Sequence, residues 1–138
     1  MVDMKSLHPL QTIILLGGTI FAWTTVIQEA APNPWATVCL YGAFGFTIAL
    51  LWAGYVQFTK DSKLKAFCQR YLIWFLVAGT LFAWGNFINT AWNFYNNRVC
   101  TLGCPEITTL WAASCLWGAL TFSLALVVAL VIRLRSKK

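Results

Sequence analysis

The chain has 138 residues, of which 59% are hydrophobic and 10% are charged, and its formal net charge is +6. Soluble domains average about 45 to 50% apolar and roughly 25% charged residues, so this composition excludes a disordered chain, a coiled coil and a soluble enzyme domain. Mostly apolar stretches of about 18 residues or more recur, and each can cross a hydrocarbon layer of roughly 30 Å as a helix. We therefore expect an integral membrane protein.

Four apolar segments are predicted to be membrane-spanning helices, at residues 12–28, 36–58, 71–92 and 108–132. Stretches such as 48–53 are apolar on every side, as lipid requires of a helix, and they lack the alternation of a barrel strand. The predicted fold class is all-α: an integral membrane four-helix bundle built from two tandem helical hairpins.

Three connections join the predicted spans. Pro32 and Pro34 lie in a short turn at 29–34 and end the first helix, because proline lacks the backbone donor and restricts the residue before it. A charged loop is predicted at 60–65 and a longer polar loop at 93–107. The first span is longer than the apolar part of a signal peptide and no clean cleavage pattern follows it, so we expect it to stay in the mature protein.

The basic residues predict the orientation of the spans. Nine of the ten fall on one side of the predicted membrane and Arg98 falls on the other. The nine are Lys5, Lys60, Lys63, Lys65, Arg70, Arg133, Arg135, Lys137 and Lys138. By the positive-inside tendency both termini are cytoplasmic, in the inner or plasma membrane. These cations flank spans, which favours the lipid bilayer as a partner and argues against nucleic acid.

The two hairpins resemble each other in sequence. Residues 18–23 match residues 79–84 at an offset of 61, with five of six identical, and residues 35–43 match 111–119 at an offset of 76, with six of nine identical. We interpret the chain as a single transmembrane domain, 1–138, with repeat 1 at about 11–60, repeat 2 at about 71–134 and an external loop insertion at about 93–107. Because each repeat contains two spans, a pseudo-twofold axis along the membrane normal is expected to relate them.

Small residues recur at every fourth position in the second and fourth spans. Close approach of small side chains is a main way to hold membrane helices together, since lipid is as apolar as leucine. The candidate packing residues are Gly45, Ala49, Ala53, Thr121, Ala125 and Ala129. They are expected to join helices within the chain or between copies of it, although small residues at this spacing are also common in membrane helices generally.

Five cysteines offer the most chemistry. Cys100 and Cys104 lie in the predicted external loop, where a disulfide can persist, and we predict a structural disulfide between them. A redox-active pair is an alternative, although membrane thiol oxidoreductases usually space the two cysteines by two residues and here the spacing is three. Cys39 and Cys115 are weak candidates for a two-thiolate site for a soft metal ion, against an ordinary role as small buried side chains.

The chain contains one histidine, His8. It cannot supply the two axial ligands of a b-type haem, which makes that cofactor unfavourable, and no zinc site is expected because zinc normally takes four ligands. Catalytic triads, phosphate loops and dinucleotide fingerprints are also missing. We therefore expect no catalytic residues and, more generally, a protein that is not an enzyme.

Polar residues near the predicted external face are the better lead to function. Polar groups at membrane depth are costly unless paired or wet, so they mark possible sites. The candidate ligand-binding residues are Gln28, Glu29, Trp23, Asn86, Asn89 and Trp84. The alternative interpretation is that the tryptophans form an interfacial aromatic belt with no ligand role.

Three functional hypotheses follow. The first is a transporter, channel or solute-binding protein with a site between the repeats near the external face. The second is a non-catalytic accessory subunit of a larger membrane complex, and the third is a membrane thiol-disulfide oxidoreductase that uses the external cysteine pair. Four short-looped spans leave broad lipid-facing surfaces, so the expected partners are other copies of the chain or other membrane subunits.

Overall fold

A computed structural model describes residues 4–28, 38–96 and 109–136, with side chains in the first range described from Leu7 onward. It contains four long helices: α1 (Met4–Gln28), α2 (Val38–Phe58), α3 (Ser62–Tyr95) and α4 (Ser114–Ser136). A single 3-10 turn, Leu110–Ala112, precedes α4. The described ranges contain helices and no strand, which confirms the predicted all-α class.

All four helices are long and apolar enough to span a membrane. They contain 21 to 34 residues, which correspond to lengths between about 31 and 51 Å. Most of their surface faces outward, and in the most apolar part of α3 only 17% of the residues are buried. Large apolar side chains such as Leu51, Trp74 and Leu81 are more than 60% exposed. Outward-facing apolar surface of this extent is typical of a protein that is solvated by lipid.

The helix boundaries differ most from the prediction at the starts of α1, α3 and α4. Helix α1 starts well before residue 12 and contains Pro9 as its sixth residue. The predicted loop at 60–65 is wrong from Ser62 onward, because Asp61 caps α3 by accepting a 2.9 Å hydrogen bond from the backbone N–H of Lys63. Helix α4 begins six residues after position 108, because the backbone of Ala113 is extended and interrupts the helix.

The helices form a ring in chain order. Helix α1 packs on α2 and α4, and α3 packs on α4 and α2. The chain thus alternates direction, and the start of α1 lies at the same end of the bundle as the end of α4. We call the end where α2 and α4 begin the cavity end, and the end where α1 and α3 begin the basic end.

Small residues fill the centre of the bundle between α2 and α4. Ala49, Ala53, Ala125 and Ala129 are all buried in the main core cluster, together with leucines of α1 and α3. Four of the six candidate packing residues therefore lie in this core, and Gly45 and Thr121 are half-buried beside it.

Gly18 and Gly79 leave room for the rings of Phe46 and Phe122 in the core. A Cβ atom on Gly18 would lie 2.6 Å from the Phe46 ring, and one on Gly79 would lie 2.8 Å from the Phe122 ring. Phe46 and Phe122 are 2% and 4% exposed and stack on each other with centroids 3.9 Å apart. The rings cannot move away cheaply, because each is held between the other ring and a helix backbone.

We predict that Gly18→Ala and Gly79→Ala each destabilise the protein by about 1 to 3 kcal/mol, because the added methyl group overpacks the rings. The matched controls are Gly17→Ala and Gly85→Ala, where an added Cβ meets no atom within 4 Å. Unfolding in mixed micelles would measure the difference. Equal stability of the Gly17 and Gly18 variants would contradict the packing.

Candidate functional site

A cavity opens between the two hairpins at the cavity end. All four helices line it, and its volume is about 60 Å³. The stacked Phe46 and Phe122 lie farthest from the first residues of α2 and α4, so they form the inner end of the cavity. A cavity needs roughly 10 to 15 Å³ to admit one water molecule, so this one has room for a few water-sized groups.

The lining residues are related in pairs by the two sequence offsets. Three pairs at the offset of 61 come from α1 and α3, and four pairs at the offset of 76 come from α2 and α4. The pairs are Phe21 with Phe82, Ala22 with Ala83, Thr25 with Asn86, Val38 with Ser114, Cys39 with Cys115, Gly42 with Gly118, and Phe46 with Phe122. Every lining residue therefore has its counterpart on the opposite wall.

The polar groups of the cavity are few and mostly bonded to their own helices. Thr25 donates to the carbonyl of Phe21 at 2.9 Å, and the Asn86 amide donates to the carbonyl of Phe82 at 2.8 Å. The Cys39 Sγ and Ser114 Oγ atoms lie 3.7 Å apart across the cavity. The wall is otherwise apolar, so it favours an uncharged ligand.

The two tryptophans predicted to line the pocket have another role. The indole N–H of Trp23 donates to Thr47 Oγ1 and that of Trp84 donates to Ser123 Oγ, both at 3.0 Å. Thr47 and Ser123 in turn donate to the carbonyls of Ala43 and Ala119 in their own helices. Both tryptophans therefore fasten one helix of a hairpin to the other, and neither lines the cavity.

The remaining predicted site residues are dispersed. Asn86 lines the cavity, whereas Gln28 is exposed and Asn89 is half-buried, and neither contributes to the lining. Glu29 lies outside the described residues. Trp92 and Trp111 are 67% and 75% exposed, as interfacial belt residues are.

Of the four cysteines predicted to take part in a site, two line the cavity and two lie outside the described residues. Cys100 and Cys104 lie outside the described residues, so the predicted disulfide stays a prediction. Cys39 and Cys115, the weak metal candidates, line one cavity from opposite walls. Among the described residues no group of three or more His, Cys, Asp and Glu side chains comes together that could hold a metal ion.

Sequence reasoning missed several residues of the site. Phe46, Phe122, Gly42 and Gly118 line the cavity but look like ordinary residues of apolar spans. A signal existed, because each pair falls at the offset of 76, and so do the hydrogen-bond acceptors Thr47 and Ser123 just beyond the matched segment. Gly42 and Gly118 already lie inside the matched segments, and extending the offset into the span would have found the other two pairs.

Comparisons with protein-family models, curated proteins and solved structures gave no match for this chain. The interpretation of the cavity therefore comes from its residues and geometry alone.

We predict that loss of the indole hydrogen bond in Trp23→Phe and in Trp84→Phe lowers stability by about 0.6 kcal/mol and by at most about 1.7 kcal/mol, the average and the maximum measured for hydrogen bonds between membrane helices. A double-mutant cycle with Thr47→Val or Ser123→Ala isolates each bond, since the second substitution should cost little once the indole N–H is gone. Trp74→Phe, at an exposed site, is the control. Additive losses in both cycles would contradict these bonds.

Proposed function

We propose that the chain is a small polytopic membrane protein that binds, and moves across the membrane, a small uncharged solute in the cavity between its two hairpins. The observation that carries the proposal is the pairing of all fourteen lining residues by the two sequence offsets. A cavity made by accidental packing has no reason to draw matching positions from both halves of the chain.

The proposed hairpin repeat is supported by the bonds around the cavity as well as by its lining. The two indole hydrogen bonds have equal lengths and join matching residues of the two hairpins. Matching phenylalanines meet in the stack, and matching glycines receive them. Two such hairpins in parallel orientation are related by an axis along the bundle, and rocking about this axis changes the width of the cavity.

The chemistry of the lining limits the solute. The part of the wall that the described residues form carries hydroxyl, thiol and amide groups and no charged side chain, so an ion there would lose its hydration without compensation. The cavity volume limits the solute to a few heavy atoms at a time. A small neutral molecule with one or two polar groups satisfies both limits.

We also propose that the cavity end faces outward and that both termini are cytoplasmic. Lys60, Lys63, Lys65 and Arg70 lie at or near the start of α3, and Arg133 and Arg135 lie in the last turn of α4. All six belong to the basic end, and cytoplasmic ends of membrane proteins carry such an excess of cations.

The proposal is tested by filling the cavity without disturbing the helices. An added Cβ on Gly42 or Gly118 meets no atom within 4 Å, so a leucine at either position can extend into the cavity. Gly54→Leu is the matched control, because it lies on α2 with equally open surroundings and does not line the cavity. Stopped-flow measurement on proteoliposomes with small alcohols, amides and polyols gives the flux.

We expect at least one of these solutes to cross faster than through protein-free vesicles. Gly42→Leu and Gly118→Leu should abolish the excess flux, because the isobutyl group occupies the cavity, while Gly54→Leu retains it. Peptide-resolved labelling by a small uncharged maleimide should slow at Cys39 and Cys115 in the same two variants. An excess flux that survives both substitutions would remove the cavity from the pathway.

A further inference from the structure

A second cavity lies at the basic end, and we call it the basic cavity. Its volume is about 590 Å³, roughly ten times that of the first. The first turns of α1 and α3 and the last turns of α4 line it, with His8, Lys65, Gln69, Arg70 and Arg133 among the lining residues. Small-molecule sites in proteins have volumes of about 300 to 1,000 Å³, so this cavity has the size of a ligand site.

Three cations surround the basic cavity. Lys65, Arg70 and Arg133 are brought to it by two different helices, and no carboxylate of the described residues lines it. Asp61, the one acidic residue in the described ranges, instead caps α3 through the backbone of Lys63. Three like charges around one cavity repel each other, and a bound anion would relieve that repulsion.

Gln69 gives an independent indication of a ligand. Gln69 is one of the lining residues of the basic cavity and is only 6% exposed. Neither its amide nitrogen nor its amide oxygen has a hydrogen-bond partner among the described residues. Buried polar groups nearly always form hydrogen bonds, because a buried group without one has lost its hydrogen bonds to water and gained none in the protein. A ligand that both accepts from Nε2 and donates to Oε1 would satisfy this side chain.

These features together define the ligand. Arginine pairs with phosphate oxygens through two parallel hydrogen bonds, and lysine contributes a point charge. The donor that Gln69 Oε1 requires is supplied by a hydroxyl group of the same ligand. We propose that the basic cavity binds a phosphate ester that carries a free hydroxyl, with Lys65, Arg70 and Arg133 on the phosphate and Gln69 bridging phosphate and hydroxyl.

Two sources present this chemistry: the headgroup of a hydroxyl-bearing anionic phospholipid, and a soluble phosphate ester. The probes are therefore phosphatidylglycerol and glycerol phosphate, with phosphatidylcholine and sodium chloride at equal ionic strength as references. Thermal unfolding of the full-length protein in neutral detergent gives the stabilisation by each probe, and native mass spectrometry counts the lipids that stay bound.

The variants separate the cavity from the general attraction of a basic surface. Lys65→Gln and Arg133→Gln remove a charge that lines the cavity. Lys63→Gln removes the same charge two residues away, from an exposed side chain that does not line it. The first two variants lose a hydrogen bond to a charged group and should each weaken binding about tenfold or more. Lys63→Gln loses only the general attraction of a basic surface and should weaken binding by no more than about fivefold.

Gln69→Leu distinguishes a role in ligand binding from a purely structural role, because the two roles predict different unfolding temperatures for the unliganded protein. It removes the two unpaired polar atoms, so the unliganded protein should unfold at the same or a higher temperature, while the stabilisation by the probe falls. If Gln69→Leu lowers both the unfolding temperature of the unliganded protein and the stabilisation by the probe, the role given to Gln69 is overturned.

Stabilisation by phosphatidylglycerol that depends on Lys65 and Arg133 supports a lipid headgroup, and the same pattern with glycerol phosphate alone supports a soluble ester. Equal weakening by Lys63→Gln, or no stabilisation by either probe, would overturn the proposal. The cavity between the hairpins lies at the opposite end, so either proposal can fail without the other.

Discussion

The stack of Phe46 on Phe122 is the contact on which the rest of the bundle depends. It joins α2 to α4, the diagonal helices of the ring, and each ring also rests on a glycine of α1 or α3. In lipid no hydrophobic force drives apolar helices together, so fit of this kind must supply the attraction. Below the stack, alanines let the helices approach closely. One turn from the stack toward the starts of α2 and α4 lie Gly42 and Gly118, and the cavity begins there.

The lipid surroundings also explain how the polar side chains of the helices form hydrogen bonds. Threonine and serine hydroxyls within the helices, such as those of Thr19 and Thr80, donate to carbonyls one turn earlier and need no partner elsewhere. The indole N–H groups of Trp23 and Trp84 donate to hydroxyl groups of the neighbouring helix, and these two hydrogen bonds hold each hairpin together. Against this background of paired groups, Gln11 Nε2 and both amide atoms of Gln69 have no hydrogen-bond partner among the described residues. Gln69 belongs to the cavity that Lys65, Arg70 and Arg133 also line. The two ends of the bundle thus present opposite chemistry: an uncharged cavity at one end and a basic one at the other.

The candidate site was predictable in location but not in membership. The polar and aromatic residues near one end of the spans pointed to the end of the bundle where this cavity lies, and Asn86 is one of its lining residues. The sequence predicts that Trp23 and Trp84 line a pocket together with the polar residues near the external face. Their orientation depends on the rotation of α1 and α3 about their own axes, which directs the indole N–H groups to α2 and α4. In a span that is apolar all round, no periodicity indicates that rotation.

What the sequence by itself determined is the number of helices, their all-α class and the matching of the two hairpins in sequence, because each depends on local composition or order. Helix ends were less certain, and a single side chain, Asp61, moved the start of α3 into the predicted charged loop. Only the tertiary structure decided which residues line each cavity. The cavity end draws on four helices and the basic cavity on three, so both depend on contacts between residues far apart in the chain. Those contacts depend on the fit of Phe46 and Phe122 against glycine, and hydropathy carries no information about such fit.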